Sequence, residues 1–286
     1  MPPNAGGFGE FLLKARLGRV MLNNGRRVAM MRFTALTEPA KHKMVMRTLI
    51  QWSTIVALGS AVSLQAADGA GAFFKFNVGV ALQQDLDVKN FPAAQAAFIA
   101  GAQAVSPTAT GSVSDMKLSF DPGVRLGFEG GYHFNSSWAL GLETGMVYNN
   151  VKELRLTGTV TDMGVTVSQR ASIDTTELGF FQIPILANLI YTVPTGSGIK
   201  PFLGGGVGGI ASIFEGDDFR GLTGRDSQSD FTFAYQGVAG LAFAVADRAD
   251  IGVVYKFLGT ADHTFQDLKT RENYSHSIMA TFDFRF

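Results

Sequence analysis

Gly204-Gly205-Gly206-Val207-Gly208-Gly209 contains the spacing G-x-G-x-x-G. That spacing cradles a dinucleotide when a helix starts there and an acidic ribose ligand follows. Here Ile210, Ser212, Ile213 and Phe214 continue a strand-like run, so the glycines read as a strand packed closely in a narrow interior. His133, His263 and His276 lack the spacing of a metal centre. The chain has no Cys, which excludes disulfides, thiolate zinc and thiol nucleophiles. The acids Asp85, Asp87, Asp217, Asp218, Asp226, Asp230, Asp262 and Asp267 fall between the patterned runs. Residues 215–218 (EGDD) could hold a divalent cation weakly, but EF-hand spacing is absent and solvated loop charge is the simpler account. No nucleophile, base and orienter can be assembled from the pattern. The expectation is no metal, no cofactor and no enzymatic activity.

Seven charges behave differently. Lys75, Arg125, Glu129, Glu143, Lys256, Asp283 and Arg285 each fall on the polar parity of a run that alternates apolar and polar residues. Phe74, Phe76, Val78, Val80 and Leu82 alternate with Lys75, Asn77 and Gly79. Val124, Leu126, Phe128, Tyr132 and Phe134 form a second run, and Trp138, Leu140, Leu142, Met146 and Tyr148 a third. Phe181, Ile183, Ile185, Ala187, Leu189 and Tyr191 form a fourth. The fifth, residues 201–214, leaves its facing open. Phe231 to Val245, Ile251 to Phe257 and Ser277 to Phe286 complete eight. Period two is the signature of β-strands.

Alternation alone does not say whether the apolar face meets a core or lipid. Three features choose lipid. The polar faces are rich in Gly and Ala, as a narrow lumen requires. Aromatics such as Trp138, Tyr148, Phe181, Tyr191 and Phe231 sit at run ends, as interfacial girdles do. Connections alternate between short (135–137, 192–199, 247–250) and long (87–116, 149–176, 215–230, 258–273), the pattern of a transmembrane barrel. The fold class expected is all-β: an eight-stranded, antiparallel, up-and-down transmembrane β-barrel, with both termini on the periplasmic side. The seven charges then share its lumen. A charge in a narrow lumen must be paired or hydrated. Eight strands leave room only for side chains, so a salt-bridged plug is favoured over a gated ion path.

The formal net charge is zero, yet it is unevenly spread. Residues 1–66 hold 9 Lys+Arg against 2 Asp+Glu, and residues 67–286 hold 15 against 22. The second part therefore lacks the basic face of a nucleic-acid binder. Residues 46–66, MRTLIQWSTIVALGSAVSLQA, run from a basic start through an apolar core to small residues. This is the order of a secretory signal, cleaved after Ala66 or Ala67. The expected organisation is a mis-start or extended leader over residues 1–43, a signal peptide over 44–66 and the barrel over 67–286.

The runs FFQIPILANLIYTVPTGSGIKPFLGGGVGG and FTFAYQGVAGLAFAVADRADIGVVYKF resemble the small eight-stranded outer-membrane β-barrel proteins. These are the opacity-type surface proteins and the barrel of the major outer-membrane protein A. The resemblance implies a place in the outer membrane of a Gram-negative cell, contact with its lipid, and an unidentified extracellular ligand for the long loops. A surface or structural role leads, a small pore is the alternative, and a lipid-modifying enzyme is remote. The His-x-Ser-Asn pattern of the deacylases among such barrels is absent at His276-Ser277. The resemblance also implies that Tyr274, Phe282, Phe284 and Phe286 form the C-terminal signal read by the barrel assembly machinery.

Overall fold

A computed structural model describes residues 70–175, 178–216, 227–266 and 268–286, together with the backbone of strands at 14–21 and 27–34. The expected signal segment and its cleavage residues Ala66 and Ala67 lie outside the described residues. The elements in chain order are β1 (Lys14–Met21), β2 (Arg27–Thr34), β3 (Gly71–Gln83), β4 (Leu86–Asn90), α1 (Pro92–Gln103) and β5 (Thr110–Phe120). They continue with β6 (Gly123–His133), β7 (Trp138–Asp162), β8 (Val165–Asp174), β9 (Gly179–Thr192) and β10 (Ile199–Glu215). The last are β11 (Ser227–Ala246), β12 (Ala249–Thr260), β13 (Lys269–Thr270) and β14 (Asn273–Arg285). Strands β1 and β2 pair with each other, and β2 runs parallel to the last residues of β8.

Eight strands close on themselves in the antiparallel order β3–β6–β7–β9–β10–β11–β12–β14–β3. They are the eight runs read from the alternation. Closure leaves no unpaired edge, which a wall in lipid requires. The apolar parity points outward: Val80, Leu142, Ile185, Leu203, Phe233, Val253 and Ile278 are all exposed. The short turns lie at one end. In the first, Asn135 Oδ1 accepts hydrogen bonds from the backbone of Ser137 and Trp138, fixing the reversal by side-chain chemistry.

The open facing of residues 201–214 is resolved. Phe202, Gly206, Ile210, Ser212 and Phe214 point inward, while Leu203, Val207 and Ile213 point outward. Gly206 has a steric reason, because a Cβ there would lie 1.9 Å from Asn188 Oδ1. The glycine run is thus a strand facing crowded side chains and starts no helix.

The long connections depart from expectation. Much of 87–116 and 149–176 is ordered as β4, α1, β5, an extension of β7, and β8. β7 pairs with β6 and β9 in the wall, then with β5 and β8 beyond it. The result is a cap whose core, built around Leu86, Phe91, Phe98, Leu118, Leu154 and Leu156, runs on to Phe180, Phe214 and Phe265 at the top of the wall. α1 begins with Pro92 at its first turn and is rich in Ala, both favourable to a helix. Its Phe98 packs over Gly158, where a Cβ would meet the ring at 3.0 Å and the Ser112 carbonyl at 2.3 Å. These segments read as loops because their apolar residues bury against one another, across connections far apart in sequence.

Candidate functional site

The lumen is built in layers because inward residues alternate with outward ones along every strand. Along β12 the inward residues are Asp250, Val254, Lys256 and Leu258. Polar and apolar levels therefore succeed one another from the short-turn end upward.

The central polar level gathers on Glu143, which is fully buried. Its Oε1 accepts from Arg125 Nη2 at 3.1 Å and from Lys256 Nζ at 2.7 Å. Its Oε2 accepts from Gln236 Nε2 at 2.6 Å and Asn188 Nδ2 at 2.9 Å. Arg125 Nη2 also donates to Gln236 Oε1 at 3.0 Å, and Asn188 Nδ2 to Glu129 Oε1 at 3.3 Å. Five strands, β6, β7, β9, β11 and β12, are thereby tied across the interior. Two cations and two carboxylates balance, as buried charge requires.

A second polar level lies near the short turns. Lys75 stands 3.6 Å from Asp283, directly opposite it across the β3–β14 pair. Asp250 accepts from Lys200 at 2.9 Å and from Arg285 at 3.0 Å. Lys75 also sits 4.5 Å from the centroid of the Phe73 ring. Phe73, Ala139, Ile190, Val238, Val254 and Met279 form the apolar level between the two polar ones. Above the central level come Leu186, Ile210, Ala234 and Leu258.

Aromatic rings occupy the upper mouth. Phe180 and Phe214 stack with centroids 4.5 Å apart, and Phe265 meets Phe214 edge-on at 5.0 Å. Phe265 comes from the connection after β12, which is pinned by Asp230. The Asp230 carboxylate accepts from the Thr264 backbone at 3.0 Å and lies 3.2 Å from His263 Nδ1. Thr260 Oγ1 lies 3.1 Å from His263 Nε2. Burial pushes the His263 imidazole below its ordinary value, and Asp230 opposes this.

The seven charges read from parity fall into two groups. Arg125, Glu143 and Lys256 meet directly, with Glu129 joined through Asn188. Lys75, Asp283 and Arg285 lie at the lower level. Sequence reasoning missed Lys200 and Asp250, placed in or beside turns, and the neutral linkers Asn188 and Gln236, which carry no charge to draw attention. It also missed the line of Thr260, His263 and Asp230, whose spacing matches no motif. Among the loop acids, Asp85 faces Arg155, Asp87 faces Lys117 and Asp262 pairs with Lys89. Asp217, Asp218, Asp226 and Asp267 lie outside the described residues. Among the described residues no acid or histidine cluster suits a metal ion. His133 packs 4.8 Å from the Phe73 ring, and His276 faces outward, within 2.7 Å of the Tyr255 hydroxyl. Tyr274, Phe282, Phe284 and Phe286 lie on the outward parity of the last strand.

No curated protein matches the sequence. Among solved structures, Neisserial surface protein A (NspA) is similar at 13% identity and a TM-score of 0.45, covering 77% of this chain and 100% of that one. The outer membrane protein OprG from Pseudomonas aeruginosa is similar at 16% identity and a TM-score of 0.40, over 78% of this chain and 99% of that one. The outer membrane protease OmpT from Escherichia coli gives 9% identity and a TM-score of 0.40, over 79% and 99%. Residues 54–286 match the family described as outer membrane protein beta-barrel domain. The closed eight-stranded wall, its apolar exterior and this match agree, and the chain belongs to that family of Gram-negative outer-membrane proteins.

Proposed function

We propose that the protein is a closed outer-membrane barrel, without enzymatic activity, that displays a folded extracellular cap for surface recognition. The observation that carries this reading is a pair of side-chain clusters inside the barrel. The Glu143 level crosses the interior with hydrogen bonds, and the Phe180–Phe214–Phe265 cluster lies at the mouth above it. Hydrated ions would have to break the first and displace the second. Planar-bilayer recording of the refolded protein tests this. The expectation is no discrete current steps, and stable steps would overturn it.

A small gated pore is the second reading. Glu143 Oε1 holds both Arg125 and Lys256, so one cation could swing away while the other keeps the carboxylate paired. Steps that appear only with Arg125→Ala would favour it. The line of Thr260, His263 and Asp230 has the order of a nucleophile, base and orienter, but Thr260 and His263 are buried beneath the cap. It serves as a latch for the connection that carries Phe265. The seven lumen charges stabilise the closed form, and the outward aromatics of β14 serve assembly in this reading.

A further inference from the structure

The register of the closed wall fixes the height of each outward residue. Trp138 pairs with Tyr191, four strands on from Trp138 the line reaches Tyr255, and after eight it returns to β7 at Tyr148. One circuit therefore climbs the ten residues from Trp138 to Tyr148. At about 3.3 Å per residue and a tilt of about 40° the climb is about 25 Å, the height of the apolar band of a barrel in lipid. Trp138 and Tyr148 thus mark its lower and upper rims, and Tyr255 stands half-way between them. His276 lies on the next strand, two residues nearer the upper end than Ile278, the partner of Tyr255. It is still below the upper rim.

A histidine on the lipid side of this band is out of place. Among the described residues it is the only histidine or charged side chain on the outward parity between the two rims. An ionisable residue within the membrane marks a site. The ring is met on both nitrogens. Gln84, just past the end of β3 and above the rim, brings Nε2 to 2.9 Å from His276 Nε2. Tyr255 Oη lies 2.7 Å from His276 Nδ1. An amide nitrogen only donates, so His276 Nε2 accepts, the ring proton sits on Nδ1, and Nδ1–H donates to Tyr255 Oη. The phenol O–H is then left without a partner among the described residues, on a side chain 42% exposed. With the amide turned over, the same phenol donates to the ring and keeps open lone pairs. Either way one polar capacity faces hydrocarbon, where water does not meet it.

We propose that Tyr255 and His276 form a seat for an outer-leaflet lipid whose acyl chain carries a hydroxyl group. The environment supplies the occupant, because outward residues of the wall meet lipid. Its chemistry follows from depth and from hydrogen-bonding capacity. Ester oxygens belong to the headgroup boundary, where the rim aromatics sit. The phenol stands below that level, so the group that meets it is borne further down a chain. A hydroxyl both donates and accepts, so it satisfies the phenol in either arrangement, whereas a carbonyl satisfies only one. Phe257, 5.5 Å from the His276 ring, bounds the seat on β12. The proposal needs the wall to stand in lipid and does not depend on whether the lumen conducts.

The full-length protein is refolded in nanodiscs holding equal parts of dimyristoyl phosphatidylcholine and its 3-hydroxymyristoyl counterpart. It is then released into mild detergent, and the lipids it retains are counted by native mass spectrometry. The expected result is retention of the hydroxylated lipid about fivefold over the plain one, the worth of one hydrogen bond within a membrane. Tyr255→Phe should erase the preference while the heat-modifiable gel shift is kept. Tyr132→Phe, at the lower end of β6, should leave the preference unchanged. Equal retention of the two lipids by the unaltered protein overturns the proposal. So does a preference that survives Tyr255→Phe, or one lost equally in Tyr132→Phe. Paired chains retained without lipid would also overturn it and make a second copy the occupant.

Discussion

Strand β7 passes through two solvents. In the barrel wall it turns Glu143, Val147 and Asn149 inward and leaves Leu140 and Leu142 exposed. In the cap it turns Leu154, Leu156 and Val160 inward and leaves Lys152 and Arg155 exposed. The inward parity changes from odd to even. The change is made by one residue: Phe120 pairs with Val151 but Ser119 pairs with Glu153, so Lys152 is bulged out. A one-residue slip exchanges the faces of a strand. The barrel keeps polar residues inside because lipid surrounds it, and the cap keeps apolar residues inside because water does. The bulge allows one strand to obey both rules.

Deleting Lys152 is the severest test of this contrast. It would turn the Leu154, Leu156 and Val160 side of β7 toward water, each such side chain contributing about 1.5–3 kcal/mol when buried. The cap should become protease-sensitive while the barrel keeps its heat-modifiable gel shift. Loss of both would show that the two cores do not fold independently.

Glu143→Ala attacks the barrel alone. It leaves Arg125 and Lys256 buried without their shared carboxylate, at a cost of about 3–5 kcal/mol. The urea midpoint of the barrel should fall, with cap proteolysis following only as the wall opens. Leu156→Ala reverses the target, with a cost of about 3 kcal/mol confined to the cap. A changed barrel midpoint there would count against separate cores.

The smallest effect is that of pH. His263 is buried and held below its ordinary value, while the ring in the unfolded chain titrates at about 6.5. The unfolded state therefore binds the extra proton first. Cap stability should be full above that pH and decline as the pH falls below it. Asp230 faces the ring from β11, Thr260 from β12, and Asp262 and Phe265 from its own connection. The acids soften the loss without removing it. Proteolysis of the cap should quicken between pH 7.5 and 5.5, less so in His263→Gln.

What was legible follows from the same contrast. Each wall strand repeats with period two between two uniform environments, so Phe74 to Leu82 or Phe181 to Tyr191 reveals itself without knowledge of its neighbours. Lys75, Arg125, Glu129, Glu143, Lys256, Asp283 and Arg285 drew attention in the sequence for that reason, as charges on a fixed parity. Asn188 and Gln236 were not, because a neutral amide on a polar face gives no sign that it links charged side chains. The cap was illegible because its regularities are interrupted. The bulge at Lys152 breaks the alternation midway along β7, and Phe98 finds its seat on Gly158, some sixty residues on. Contacts between segments that are individually short leave no period to read.

The seam between β3 and β14 has a consequence for the order of folding. Gln83 Nε2 donates to the Tyr274 carbonyl across 191 residues of chain, and Lys75 faces Asp283 at the other end of the same seam. Neighbouring wall strands such as β11 and β12 meet across a turn of two residues. Closing a long loop costs more entropy than closing a short one, and distant pairings form slowly. The hairpins can therefore zip early, while the first and last strands meet last. Until they do, the facing edges of β3 and β14 both stand open.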